Sequence, residues 1–359
     1  MMFSFLPALS RGSGLSTGTL ANLLAARDLT GLLGPAAGGV VRRVGPWRTM
    51  VAAGALAAVG MLLIPLGPLG VVVGLIFWGI CRTGFLVSLN SWIGEIVAYE
   101  RRGRVTGMIE LTWAGAALIG LPLMGLLIDR VGWWAAPTVL GALGLPLAVA
   151  MGLVATDRPD LADGPAQVAT RIGRNANTAL AGFALLTAAA QFLLITHGSW
   201  LEDTYGFDPA QVGFAIIAVG AAEAVASYGT ARVSDALGKR NSVVAGTAIL
   251  GVALVLFALM PAPGLVIGLG LLVVAFLGFE FAIVSSIAMV AELEPTARAA
   301  GVGRSVAMST TARAAISALG AWIYATSGFR TAMICGAVAA VAAVVVLTLA
   351  VDEPGDPAT

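Results

Sequence analysis

Apolar segments of about 20 residues recur along almost the whole chain, separated by breaks of a few polar or turn-forming residues. A helix of that length crosses roughly 30 Å of hydrocarbon and satisfies its own backbone hydrogen bonds, which lipid cannot do for it. The pattern predicts a polytopic all-α membrane protein, with spans near 17–41, 49–66, 69–96, 104–128, 132–154, 177–203, 209–233, 242–261, 264–291, 299–327 and 331–350. A composition of 58% apolar and 11% charged residues excludes an ordinary soluble domain. A net charge of +1 gives no footprint for nucleic acid. Cys81 and Cys335 both lie inside apolar runs and supply neither metal spacing nor a disulfide framework, so no metal or cofactor is expected.

The breaks are short and turn-like, except at Thr156 to Arg174, "TDRPDLADGPAQVATRIGR", which reads as a linker. The expected organisation is an N-terminal bundle over 1–155, a linker over 156–175, a C-terminal six-helix bundle over 176–350 and a tail over 351–359. Alternate breaks carry fourteen basic residues against three (Arg11, Arg130 and Arg330), which places the richer set, the linker and the C-terminal tail in the cytoplasm.

The chain also repeats itself. A shift of 194 lays "YERRGRVTG" (Tyr99–Gly107) on "LEPTARAAG" (Leu293–Gly301), matching Glu100 to Glu294, Arg104 to Arg298 and Gly107 to Gly301; a shift of 193 places Gly45 on Gly238. Two related bundles joined by a cytoplasmic linker are one architecture of secondary transporters.

Three segments resemble the major facilitator superfamily. "ARVSDALGKR" is similar to that family's loop between the second and third helices of a half, with Asp235, Gly238, Lys239 and Arg240 on pattern and Ala231 in place of the first glycine. "GEIVAYERRGRVTG" resembles the segment joining helices four and five, and "GLLIDRVGWW" the turn before helix six. The resemblance implies two pseudo-symmetric six-helix bundles and cytoplasmic latch loops. Those loops would be built from Arg42, Gly45, Arg48, Asp235, Gly238, Lys239, Arg240, Glu95, Arg102 and Arg298. Arg42 stands where the family has an aspartate, so only the C-terminal loop keeps the usual carboxylate. The opening "MMFSFLPAL" gives nine helical residues. They reach about 14 Å, too short to span, so the first helix is expected to be truncated, with about 11 complete spans and roughly 15 to 20 residues upstream.

Charges at membrane depth are costly and mark function by default. Arg27, Asp28, Arg82, Glu110, His197, Glu223, Glu280 and Arg313 fall within spans, and with the first helix restored they occupy spans two, four, five, seven, eight, ten and eleven. The resemblance makes these the helices around a central cavity. The candidates for substrate or ion coupling are Arg82, Glu110, Glu280, Glu223, Asp28, Arg313, Asn90, Trp113 and Gln191. Glu110 and Glu280 lead as protonatable groups, with Arg82 as charge partner or anion contact. Asp28 beside Arg27 reads equally as a self-neutralising pair, and His197 as an interfacial residue. Trp113, Trp200 and Trp322 could stack on a substrate or serve as packing anchors.

No GxxxxGK[ST] occurs among the 46 glycines, so an ATP motif is missing and the energy must come from a gradient. The expectation is a secondary active transporter of a small molecule, working by alternating access, with proton-coupled efflux implied by likeness to bacterial sugar-efflux and drug:proton antiporter-like permeases. Its partners would be that substrate, H+ and the bilayer of the bacterial inner membrane, and the chain would be a monomer. The alternatives are a polytopic membrane enzyme acting at the bilayer surface, or a non-transporting sensor on the same scaffold.

Overall fold

The structure is a computed structural model that describes residues 2–96, 109, 112, 115–154, 173–293 and 298–352. Every regular element among the described residues is helical, and eight of their helices are long and apolar enough to cross a membrane. A 3-10 turn, Met2–Phe5, leads into α1 (Leu6–Ser13). That helix runs on through Ser10–Ser13, beyond the nine residues of "MMFSFLPAL", with the Ser13 hydroxyl donating to the Leu9 carbonyl at 2.6 Å.

The expected span at 17–41 is broken. α2 (Thr17–Leu29), N-capped by Ser16, gives way to a 3-10 turn at Thr30–Leu33, and α3 (Gly34–Val44) follows. Gly31 and Gly34 are weak helix formers and Pro35 has no N–H to continue the ladder, which weakens the α-helical bonding across "TGLLGP". Next come α4 (Pro46–Leu63), α5 (Pro68–Ile96), a π-helical stretch at Ala116–Gly120 with α6 (Leu121–Arg130), and α7 (Ala135–Leu153). α8 (Arg174–Tyr205), α9 (Pro209–Leu237), α10 (Lys239–Leu259), α11 (Leu265–Leu293) and α12 (Arg298–Ala350) complete the chain. α12 is interrupted at Gly328, whose φ of 79° separates the two spans expected there.

The chain forms two compact units. One comprises Pro7–Trp113 and Leu126–Ala166, with α4 packed on α5 and α7. The other comprises Met1–Leu6, Ala114–Gly125 and Gln167–Thr359, with α8 along α12, and α10 against α11 and α12. Its core holds Leu180, Leu186, Leu193, Leu250, Leu254 and Phe257, all fully buried. Large apolar side chains such as Val266, Leu349 and, in the first unit, Leu153 are exposed. A lipid solvent tolerates that arrangement and water does not.

At one end of the second unit, Trp200 stacks on Phe329 and meets Phe257 and Tyr205 edge-on. Its indole N–H donates to the Pro261 carbonyl at 2.9 Å, and the Tyr205 hydroxyl to that of Pro263 at 2.9 Å, which pins the turn between α10 and α11. Trp200, 1% exposed, is therefore a packing anchor. His197, read from the sequence as an interfacial residue, is buried among protein side chains. Its Nε2 lies 2.9 Å from the Ser4 hydroxyl and its Nδ1 2.9 Å from the Leu194 carbonyl, with the Phe276 ring edge-on.

Candidate functional site

In the first unit the charged centre sits where α2 breaks. Arg27 and Asp28 have side chains only 11% and 10% exposed. Being sequence neighbours, they meet because Arg27 curls back, placing Nε at 3.0 Å and Nη2 at 2.6 Å from the same oxygen, Oδ1. The other oxygen, Oδ2, is buried with no hydrogen-bond partner among the described residues. The guanidinium also lies 5.4 Å over the Trp78 ring of α5. Gly79 permits the approach, since a Cβ there would stand 2.8 Å from both Cγ and the carbonyl oxygen of Arg27. The Thr30 hydroxyl donates to that carbonyl at 2.6 Å, satisfying it at the break. Arg82, one helical turn beyond Trp78 on α5, is half-buried. Asn90 is exposed and turned onto its own helix, with Nδ2 donating to the Leu86 carbonyl at 2.8 Å.

In the second unit the carboxylates gather between α9 and α11. The Ser227 hydroxyl donates to Glu280 Oε1 at 2.8 Å, and Glu223, one turn before Ser227, is within electrostatic range of Glu280. On α8 and α12, the wholly buried Gln191 donates Nε2–H to Ser317 Oγ at 2.7 Å. Its Oε1 has no partner among the described residues. Arg313 is half-buried one turn before Ser317, and Trp322 is 62% exposed. Glu110, Trp113 and Arg102 lie outside the described residues, while Glu95, Asp235 and Arg298 are described by backbone alone. Ser227, Ser317 and Thr30 are polar partners that the sequence did not single out. Serine and threonine are common in spans, where they mostly bond back to their own helix as Thr30 does, so nothing in the placement of Ser227 and Ser317 signals a cross-helix role.

The two turns expected to act as latches are built alike. Gly45, between α3 and α4, has φ 93° and ψ 147°; Gly238, between α9 and α10, has φ 82° and ψ 146°. The Gly45 carbonyl accepts from Thr49 N (3.1 Å) and Oγ1 (2.8 Å), the Gly238 carbonyl from Ser242 N (3.0 Å) and Oγ (2.9 Å). Arg42 and Arg48 are exposed, whereas Lys239 and Arg240 are half-buried.

Long apolar helices, a buried ion pair beside a break in one of them, and carboxylates held between helices are features of a polytopic membrane protein. The sequence model of the Major Facilitator Superfamily matches residues 1–195 and again 178–359, and the chain belongs to that family. No curated protein matches it. Among solved structures, it is similar to a bacterial homologue of the iron transporter ferroportin in an inward-facing state, at 16% identity and a TM-score of 0.65, covering 96% of each chain. A bacterial homologue of the human lysosomal transporter Spinster, inward-facing and unoccupied, aligns at 14% identity and a TM-score of 0.74 over 96% of this chain and 92% of that one. The occupied form of the same homologue aligns at 13% identity and a TM-score of 0.72 over 97% and 93%. These likenesses fix the fold: an all-helical bundle with apolar spans long enough to cross a membrane.

Proposed function

We propose that the protein is a secondary active transporter that moves a small molecule by alternating access, coupled to protons and running as efflux. Its two halves, 1–155 and 176–350, rock about a midplane site, with the linker over 156–175 and the tail over 351–359 on the cytoplasmic side of a bacterial inner membrane. It works as a monomer. The observation that carries this reading is the half-buried Glu223 and Glu280 on helices long and apolar enough to cross a membrane, together with the buried Arg27–Asp28 pair in the first unit. Such charges are retained at a cost that packing alone does not explain.

The carboxylates between α9 and α11 suit proton coupling. Ser227 fixes Glu280 in one rotamer, and uptake of one proton removes the repulsion between Glu280 and Glu223. Arg82 in the other unit supplies positive charge for an anionic group of the substrate. Mixed charge accommodates amphipathic cations, organic anions or sugars. Glu110 joins Glu280 as a coupling residue, and Asp235, Gly238, Lys239 and Arg240, with Gly45 and Arg48 in the N-half, form the latch.

The test is purified protein in liposomes with an imposed pH gradient, assayed with labelled representatives of those three substrate classes. Gradient-driven flux of at least one class is expected, lost in Glu280→Gln and in Glu110→Gln. Flux that ignores the gradient refutes proton coupling; absence of flux for every class refutes the transporter reading itself.

A further inference from the structure

The two latch turns share a feature beyond their glycines. Trp47, two residues past Gly45, donates its indole N–H to the Met151 carbonyl at 3.1 Å, near the end of α7. Arg240, two residues past Gly238, donates Nη1–H to the Val351 carbonyl at 2.9 Å, just past the end of α12. The two donors stand 193 residues apart, the same offset as their glycines, although indole and guanidinium share no chemistry except a planar N–H. Each acceptor lies where a helix ends: the Met151 carbonyl, in the last turn of α7, also takes the Val154 N–H at 3.2 Å, and Val351 follows the last residue of α12.

The joint on Arg240 is reinforced. Asn175, at the start of α8, donates Nδ2–H to the Asp352 carbonyl at 2.7 Å and accepts the Asp352 N–H on Oδ1 at 2.9 Å. A side-chain amide paired with both backbone groups of one residue grips the main chain whatever the side chain there. Val351 is 1% exposed, so the end of α12 is clamped between α8 and α10.

We infer that Trp47 and Arg240 are matched positioning residues, each tying a latch turn to the last helix of its own half so that turn and helix move as one body. Arg240 thereby bonds to the last helix of its own half, a contact that the family resemblance alone does not give it. Its consequence for transport rests on the alternating-access reading; the joint itself does not.

Hydrogen exchange read by mass spectrometry on the full chain in lipid nanodiscs tests the joint without a substrate. Trp47→Phe keeps the ring and removes the donor; exchange is expected to rise about fivefold in 45–52 and in 149–154 and to stay unchanged in 238–246, the loss of one hydrogen bond. Arg240→Met should do the same in 238–246 and 349–352, and Arg240→Lys, which restores a donor, should return exchange to within about twofold of the parent. If Arg240→Met misfolds, Asn175→Ala opens the same joint from α8 and should loosen 349–352 and 238–246 together. Loosening of the turns with no change at either helix end, or failure of lysine to rescue, overturns the inference. Wild-type protein inert in liposomes would instead count against the transporter reading and leave the exchange result standing.

Discussion

The two units solve the problem of charge in apolar surroundings differently. In the first, Arg27 neutralises its own neighbour Asp28 by gripping one carboxylate oxygen and leaving the other bare. In the second, Glu280 is held by a neutral hydroxyl, with Glu223 nearby. Offset by 193, Glu223 falls on Thr30, Arg82 on Ala275 and Glu280 on Val87, so none of these charges is duplicated. The turn glycines and the hydroxyls bonded to them are duplicated, Thr49 on Ser242. Geometry that closes a chain turn admits few solutions, whereas a charge is bound to a turn by nothing, and each half has placed its charges independently.

The largest expected effect tests the carboxylate side of that contrast. Glu280→Gln keeps the contact to Ser227 and loses the charge, and pH-driven flux in liposomes should fall by about 100-fold or more, as removal of a proton-transferring group does. Next is the ion pair. Arg27→Met strands a buried carboxylate, and chemical unfolding in detergent should register a loss of about 3–5 kcal/mol, most of it regained in Arg27→Met with Asp28→Leu. A double variant as unstable as the single would mean the pair is not the unit described.

Smaller effects sharpen the duplicated part. Gly45→Ala and Gly238→Ala each force a side chain into a positive-φ conformation and should cost about 1–3 kcal/mol, the two agreeing within about 0.5 kcal/mol if the turns are mechanically equivalent. Ser227→Ala should lower stability by about 1 kcal/mol, read by thermal unfolding. Trp322→Ala, at an exposed position, should stay within about 0.5 kcal/mol and leave flux unchanged unless the ring stacks on substrate.

The spans were legible in the sequence because lipid leaves the backbone almost no choice, and apart from 17–41 the apolar runs of sufficient length became helices where they are described. The duplicated turns were legible through Gly45 and Gly238, since their positive φ demands glycine and the repeat offset aligns them. The break at Thr30–Leu33 was written in "TGLLGP" but masked by the apolar residues around it. The burial of His197 was not legible, because it depends on Met2–Leu6 folding onto α8, a contact between segments 193 residues apart. Nor was Ser227 distinguishable from serines that bond their own helix, such as Ser285 and Ser91. The face that a hydroxyl presents is decided by helix rotation, which a nearly uniform apolar sequence encodes weakly.

His197 is the sole imidazole in the chain, and both its ring nitrogens are engaged. Diethyl pyrocarbonate therefore has one imidazole to acylate and cannot reach it while Ser4 stays seated. The rate of that acylation becomes a built-in clock for how often the leading segment lifts away, readable by absorbance without adding any label.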